Sequence, residues 1–206
     1  TLIVIPIVTV KKKQGMYKRM FLKKDSKPES IKEALWWEEH CVRREGGYDL
    51  DTNTLPDSAK WLPKGVVLRF DKSTGKANVL KSTRIVENAA KNATSIKIEK
   101  NSYFKVGDTI AGVVISAIAQ GKDYDTLTVA AISDNLKVGD TVDDYKDTDI
   151  VLGFQYETLP IDKSISMHVT PTLVVREVYE NSLMYPVSDK VKTALNTNGT
   201  AQFKIL

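Results

Sequence analysis

Cysteine is almost absent: Cys41 stands alone in 206 residues, so no intrachain disulfide can form. Histidine is nearly as scarce, with His40 and His168 the whole supply. That excludes a zinc site built from spaced Cys and His pairs. His40 and Cys41 are sequence neighbours and would not share a helix face, so they make a poor metal pair. Cys41 with His168 is the remaining nucleophile–base pairing of this type, and so thin a supply gives it little support. Cys41 reads instead as a small apolar residue. A glycine-rich phosphate loop and a nucleophile elbow are both missing. Low-complexity tracts are missing too.

No apolar run is long enough to span a bilayer. The opening run, Thr1 to Val10, is too short and is followed by no small-residue cleavage site, so it is a poor signal peptide. Thr1 is compatible with removal of an initiator methionine. The β-branched residues of this run favour a strand, and Pro6 favours an edge position. No cofactor and no membrane are expected. With 42% hydrophobic and 27% charged residues, the chain has the composition of a folded domain rather than of a disordered one.

Charge is unevenly placed. Residues 1–47 carry a net +5, and the rest of the chain carries −1. The densest stretch holds Lys11, Lys12, Lys13, Lys18, Arg19, Lys23, Lys24 and Lys27, opposed by Asp25 alone. Such asymmetry is a solvated face or the mark of an acidic partner. Tyr17 and Phe21 interleave with these cations, which opens a nucleic-acid reading, but no nucleic-acid fold motif accompanies them.

Met16 to Leu22 reads as a second strand. Pro28, Glu29 and Glu33 then read as a helix start, and Ile31, Ala34, Leu35, Trp37 and Cys41 recur at helical spacing before Gly46-Gly47. These features predict a helix at about 29–45. Trp36 and Trp37 must point in different directions, so one is a candidate interface anchor. The polar stretch 48–60 reads as a linker. It divides the chain into a basic N-terminal segment over 1–60, a repeat-containing β domain over 61–149 and a strand-rich segment over 150–206.

Beyond residue 60, short strands alternate with turns: Val66–Phe70, Lys76–Leu80, Thr94–Glu99, one or two strands within Thr109–Ile118, Thr126–Ala130, Ile150–Tyr156 and Thr172–Val178. Asp123-Tyr124-Asp125 reads as a hairpin loop. A short helix over Ser188–Leu195 and a closing strand over Ala201–Ile205 complete the chain. Asp140, Asp143, Asp144, Asp147 and Asp149 are dense but do not match the twelve-residue calcium loop, and read as turn residues.

One element repeats. Phe104-Lys-Val-Gly-Asp-Thr109 returns as Leu136-Lys-Val-Gly-Asp-Thr141, each preceded by an alternating strand. Gly107 and Gly139 are expected to supply positive φ, and Asp108 and Asp140 to bond turn N–H groups. The expected fold class is mainly β: a small barrel or sandwich with an internal strand–loop–KVGDT repeat, plus one N-terminal α-helix (about 29–45).

The central block combines Leu62-Pro-Lys-Gly65, Thr94-Ser-Ile-Lys-Ile98, Tyr103-Phe-Lys-Val-Gly-Asp-Thr109, Ile115-Ser-Ala-Ile118, Lys122-Asp-Tyr-Asp-Thr-Leu-Thr128 and Leu136-Lys-Val-Gly-Asp140. In this order and spacing it resembles the head-fiber and capsid-decoration proteins of tailed bacteriophages, over about residues 62–143. The resemblance implies a β-rich structural protein on the outer surface of a phage head, without catalytic residues. Its implied partners are capsid proteins and copies of itself, with a trimer favoured and host glycans as a further partner. Lys11, Lys12, Lys13, Lys18, Arg19, Lys23, Lys24, Trp36 and Trp37 are then the candidate contacts. The alternatives are a carbohydrate-binding adhesive module, with Trp61 or Tyr124 for stacking, and a nucleic-acid-binding protein using residues 11–27.

Overall fold

The computed structural model describes residues 27–197 and 201–204. The early strands expected over 1–10 and 16–22 lie outside the described residues. The described chain is mainly β. Its first strands are Val42–Arg43 (β1), Tyr48–Leu50 (β2), Trp61–Leu62 (β3), Val67–Asp71 (β4), Lys76–Val79 (β5) and Ser82–Arg84 (β6). Next come Ser95–Ile98 (β7), Thr109–Ile110 (β8), Val113–Gln120 (β9), Asp125–Val129 (β10) and Thr141–Asp143 (β11). Ile150–Phe154 (β12), Leu159–Pro160 (β13), Met167–Val169 (β14), Thr172–Tyr179 (β15), the helix Asp189–Thr197 (α1) and Ala201–Lys204 (β16) finish the described chain.

A five-stranded sheet, in the order β12-β4-β5-β2-β14, forms the base. Strand alternation sends adjacent residues to opposite faces, and at β4 and β12 both faces are apolar. Val67 and Val151 pack on one side with Trp36, Phe154, Val175, Val178, Val191 and Leu195. Leu68 and Leu152 pack on the other with Leu50, Leu55, Leu62, Tyr103 and Met167. The first side is covered by α1 and by the sheet β1-β15-β16, in which β16 runs parallel to β15. Val191 and Leu195, four residues apart on α1, form its buried stripe. At Gly153 the β12 backbone has φ +139 and comes so close to the Thr172 carbonyl that a side chain has no room.

Residues 82–143 are inserted between β5 and β12 of this sheet. The chain leaves through β6 and returns through β11, paired as an antiparallel ribbon with Val142 opposite Thr83. Beyond the ribbon, the sheet β7-β10-β9-β8 encloses a core of its own around Ile85, Ile96, Ile98, Ile115, Leu127 and Ile132. The expected division at residues 60 and 149 is therefore corrected. The base sheet takes β2 from the first expected segment, β4 and β5 from the second, and β12 and β14 from the third. The stretch 48–60 is no linker, because Leu50 and Leu55 are core residues.

The expected helix over 29–45 is also corrected. Its backbone hydrogen bonds go sideways: Ala34 N–H donates to Lys64 O, Trp37 N–H to Arg176 O, and Tyr179 N–H donates to Leu35 O. Ala34 and Trp36 are buried while Leu35 and Trp37 are exposed, a period of two rather than of a helix. Only Glu38–His40 forms a short 3-10 turn.

The two KVGDT turns have the same geometry. Asp108 N–H donates to Lys105 O at 3.1 Å, and Asp140 N–H to Lys137 O at 3.0 Å. Gly107 and Gly139 sit at φ +93 and +89, as the third residue of a type II turn requires. Each aspartate accepts from the N–H of the lysine three residues back, at 2.7 and 2.8 Å.

Polar contacts dock the insert on the base. Tyr103 of the insert donates to Trp61 O at 2.7 Å, and Tyr185 of the base donates to Asn101 O at 2.8 Å, with the two rings 4.6 Å apart. Lys81 is 2% exposed, and its ammonium donates to Thr54 O and Asp108 Oδ2, both at 2.6 Å. Its backbone N–H donates to Asp144 Oδ1 at 2.9 Å, and Arg69 bridges Asp144 and Asp149 at 2.7 and 2.9 Å. Lys81→Met takes the buried cation from the Asp108 carboxylate, leaving it only the Lys105 N–H, and takes the donor from the Thr54 carbonyl. We expect it to cost about 3 kcal/mol in a urea unfolding series. The double variant with Asp108→Asn should cost clearly less than the two single losses added together.

Candidate interaction surface

The segment Lys27–Arg43 reaches the base as an extended strap beside β15, and period-two alternation splits its tryptophans. Trp36 is 7% exposed and packs against Phe154 and Tyr156, with ring centroids 6.2 and 6.4 Å away. Lys64 Nζ lies 4.3 Å from the Trp36 ring centroid and pairs with Glu38. Arg43 lies over the Tyr156 ring at 4.7 Å. Burial alone would raise the Glu38 carboxyl; the Lys64 ammonium bonded to it overrides this and holds it below its ordinary value. The Thr158 hydroxyl, and then Lys27 at 3.0 Å, hold Glu33 low as well.

Trp37 turns the other way. It is 45% exposed, stacks on His40 at 4.6 Å, and donates from Nε1 to Glu39 at 3.3 Å. Leu35 and Val42 of the strap and Leu173 of β15 are exposed as well. Val42 pairs with Val174, the residue after Leu173 in β15. These exposed apolar side chains belong to the strap and to the β15 strand beside it. Lys11, Lys12, Lys13, Lys18, Arg19, Lys23 and Lys24 lie outside the described residues, and the basic segment ends where the strap begins.

Cys41 and His168 line one open groove beside Gly46 and Gly47. Burial pushes the Cys41 thiol up to about 11, which leaves it protonated at neutral pH and a poor nucleophile. His168 has a partner at each ring nitrogen: Gly46 O at 2.7 Å and Asp49 at 3.4 Å. Among the aspartates of the 140–149 stretch, Asp144 and Asp149 bind Arg69 and Asp140 closes its own turn. Among the described residues, no group of three or more His, Cys, Asp and Glu side chains is placed to hold a metal ion. Nor is any helix among them long and apolar enough to cross a membrane. Trp61 is part-buried in β3, and Tyr124 lies under Lys97 Nζ at 4.9 Å.

Two features escape a reading of the sequence. The burial of Lys81 has no local signal, since its partners Thr54 and Asp108 are each 27 residues away. Asp125, expected in a hairpin loop, instead opens β10 and is buried. It keeps the phase of Leu127 and Val129, and that alternation was a usable signal.

Comparison of the chain with protein-family models, with curated proteins and with solved structures gives no match.

The depressed Glu33 and Glu38 carboxyls stabilise the fold above the ordinary Glu value of 4.5, and that contribution is lost as pH falls through their lowered values. Thermal unfolding followed across the acid range should therefore show a falling midpoint. In Lys64→Met the fall should be shallower, because Glu38 loses the cation that depresses it. An unchanged acid limb would mean that the Lys64–Glu38 pair adds nothing.

Proposed function

We propose that this chain is a structural protein of the outer surface of a phage head, acting by binding and without a catalytic step. The observation that carries the reading is the set of exposed apolar side chains Leu35, Trp37 and Val42 on the strap and Leu173 on the adjoining β15, which follow a strongly basic segment. Exposed apolar side chains are what a subunit contact buries, and a tryptophan among them is a typical anchor. The cations of residues 11–27 steer the approach to an acidic capsid surface. The base is the attachment and oligomerisation end. The 82–143 insert, which holds most of the sequence likeness to head fibers and decoration proteins, faces outward with its two KVGDT turns as a pseudo-symmetric pair. A homotrimer is the preferred assembly.

Light scattering at low and high salt tests this. A trimer should persist at both, because apolar burial is not screened as surface charge is. The double change Trp37→Ser with Val42→Ser should release monomers while lowering the monomer's own stability by less than about 1 kcal/mol. A wild-type monomer at every concentration would remove the homo-oligomer. For attachment, Lys→Glu at Lys11, Lys12 and Lys13 should abolish co-sedimentation with heads stripped of the protein, and retained binding would count against the basic segment. Steeply salt-dependent DNA binding would favour the nucleic-acid reading instead.

A further inference from the structure

Where the Pro56–Ser58 loop of the base meets the insert, a cleft of about 610 Å³ opens. That lies within the range of small-ligand sites, roughly 300–1,000 Å³. Asp125 lines it. This side chain is only 7% exposed, and its Oδ1 is buried and accepts no hydrogen bond. A carboxylate oxygen out of water and without a donor is costly, so its presence needs an explanation. The strand explains the position: Asp125, Leu127 and Val129 share the core-facing row of β10, and Asp125 is the last of that row, opposite Gln120 and Ile98. It therefore looks out of the mouth of the insert's core.

The other walls select the ligand. Ile118 and Val106 give the cleft its accessible apolar surface, with Phe104 buried behind them. Lys100 and Lys105 stand on the polar side, their ammonium groups held by Lys122 O at 2.9 Å and Asn53 O at 2.7 Å. An ammonium carries three donors, so each can serve a ligand oxygen as well. A cationic ligand would satisfy Asp125 but meet two lysines. An anionic ligand would suit the lysines but meet Asp125. A neutral ligand dense in hydroxyls satisfies both, because each hydroxyl donates and accepts, and a ring with an apolar face can lie on Ile118.

We propose that this cleft binds a neutral saccharide, with Asp125 accepting from a ring hydroxyl and Lys100 and Lys105 donating to others. The site goes beyond the function proposed above and uses none of its residues. It is tested on the free protein, so its failure would leave head attachment standing.

The experiment is a titration of the full chain, followed by amide chemical shifts, with glucose, galactose, N-acetylglucosamine, maltose and lactose. Glucosamine and sialic acid serve as the charged counterparts. At least one neutral sugar should give saturable shifts confined to residues 100–106 and 118–125. Asp125→Asn should weaken that binding about tenfold or more, the loss expected for a hydrogen bond to a charged group. Val106→Trp, at an exposed rim position, should block it while leaving the shifts of the base unchanged. No saturable shift with any neutral sugar overturns the proposal. Unchanged affinity in both variants overturns it as well. Preference for glucosamine or sialic acid overturns the neutral class.

Discussion

At β4 and β12 the base sheet is covered on both faces, while at its β2-β14 end Asp49 and His168 stay exposed on one of them, and most of the architecture answers to the covered part. Neighbouring residues of β4 and β12 divide between two apolar clusters, so water must be excluded from both sides at once. One cover comes from α1, β15 and the strap with Trp36. The other comes from the 50–62 stretch, Met167 and, across the unit boundary, Tyr103. Cover is therefore recruited from sequence-distant segments. Stretches that look like polar or helical connections when read alone are core in the fold.

The insert is the second consequence. A unit attached only by a two-stranded ribbon would be free to swing, because a lone ribbon is marginal in water. Here each unit sends a phenol into the carbonyls of the other, and Lys81 is clasped between Thr54 of the base and Asp108 of the first KVGDT turn. The aspartate that closes the turn thus also holds the junction. Its counterpart Asp140 closes an equivalent turn, and Lys81 pairs with only one of the two. Docking also creates the cleft at Asp125, since the Pro56–Ser58 loop supplies a wall that the insert by itself lacks.

Placed on one molecule, the two surfaces have separate physical characters. The exposed apolar side chains around Trp37 on the strap and β15 are suited to a protein partner whose association releases water from hydrophobic groups. The cleft at Asp125 is polar, partly enclosed and lined on both sides of a unit boundary, suited to a small hydroxylated ligand. The first lies on the base and the second at the boundary between base and insert.

Much of this was legible in the chain itself. The hairpin of β4 and β5, the alternation of Ile96 and Ile98, the helix after Ser188 and the turn glycines at 107 and 139 were all readable, because each depends on neighbours a few residues away. A turn bond spans three residues, and a strand's alternation is set by its own pleat. The segment 29–45 was not legible. Its apolar residues fit a helix spacing and a strand spacing about equally, and the choice was made by hydrogen bonds to Lys64, Arg176 and Tyr179, far along the chain. The burial of Lys81 and the exposure of Trp37 belong to the same class. The sequence by itself determined where the chain turns and which residues alternate. Tertiary structure decided which faces were covered, because burial depends on partners that only the folded chain brings together.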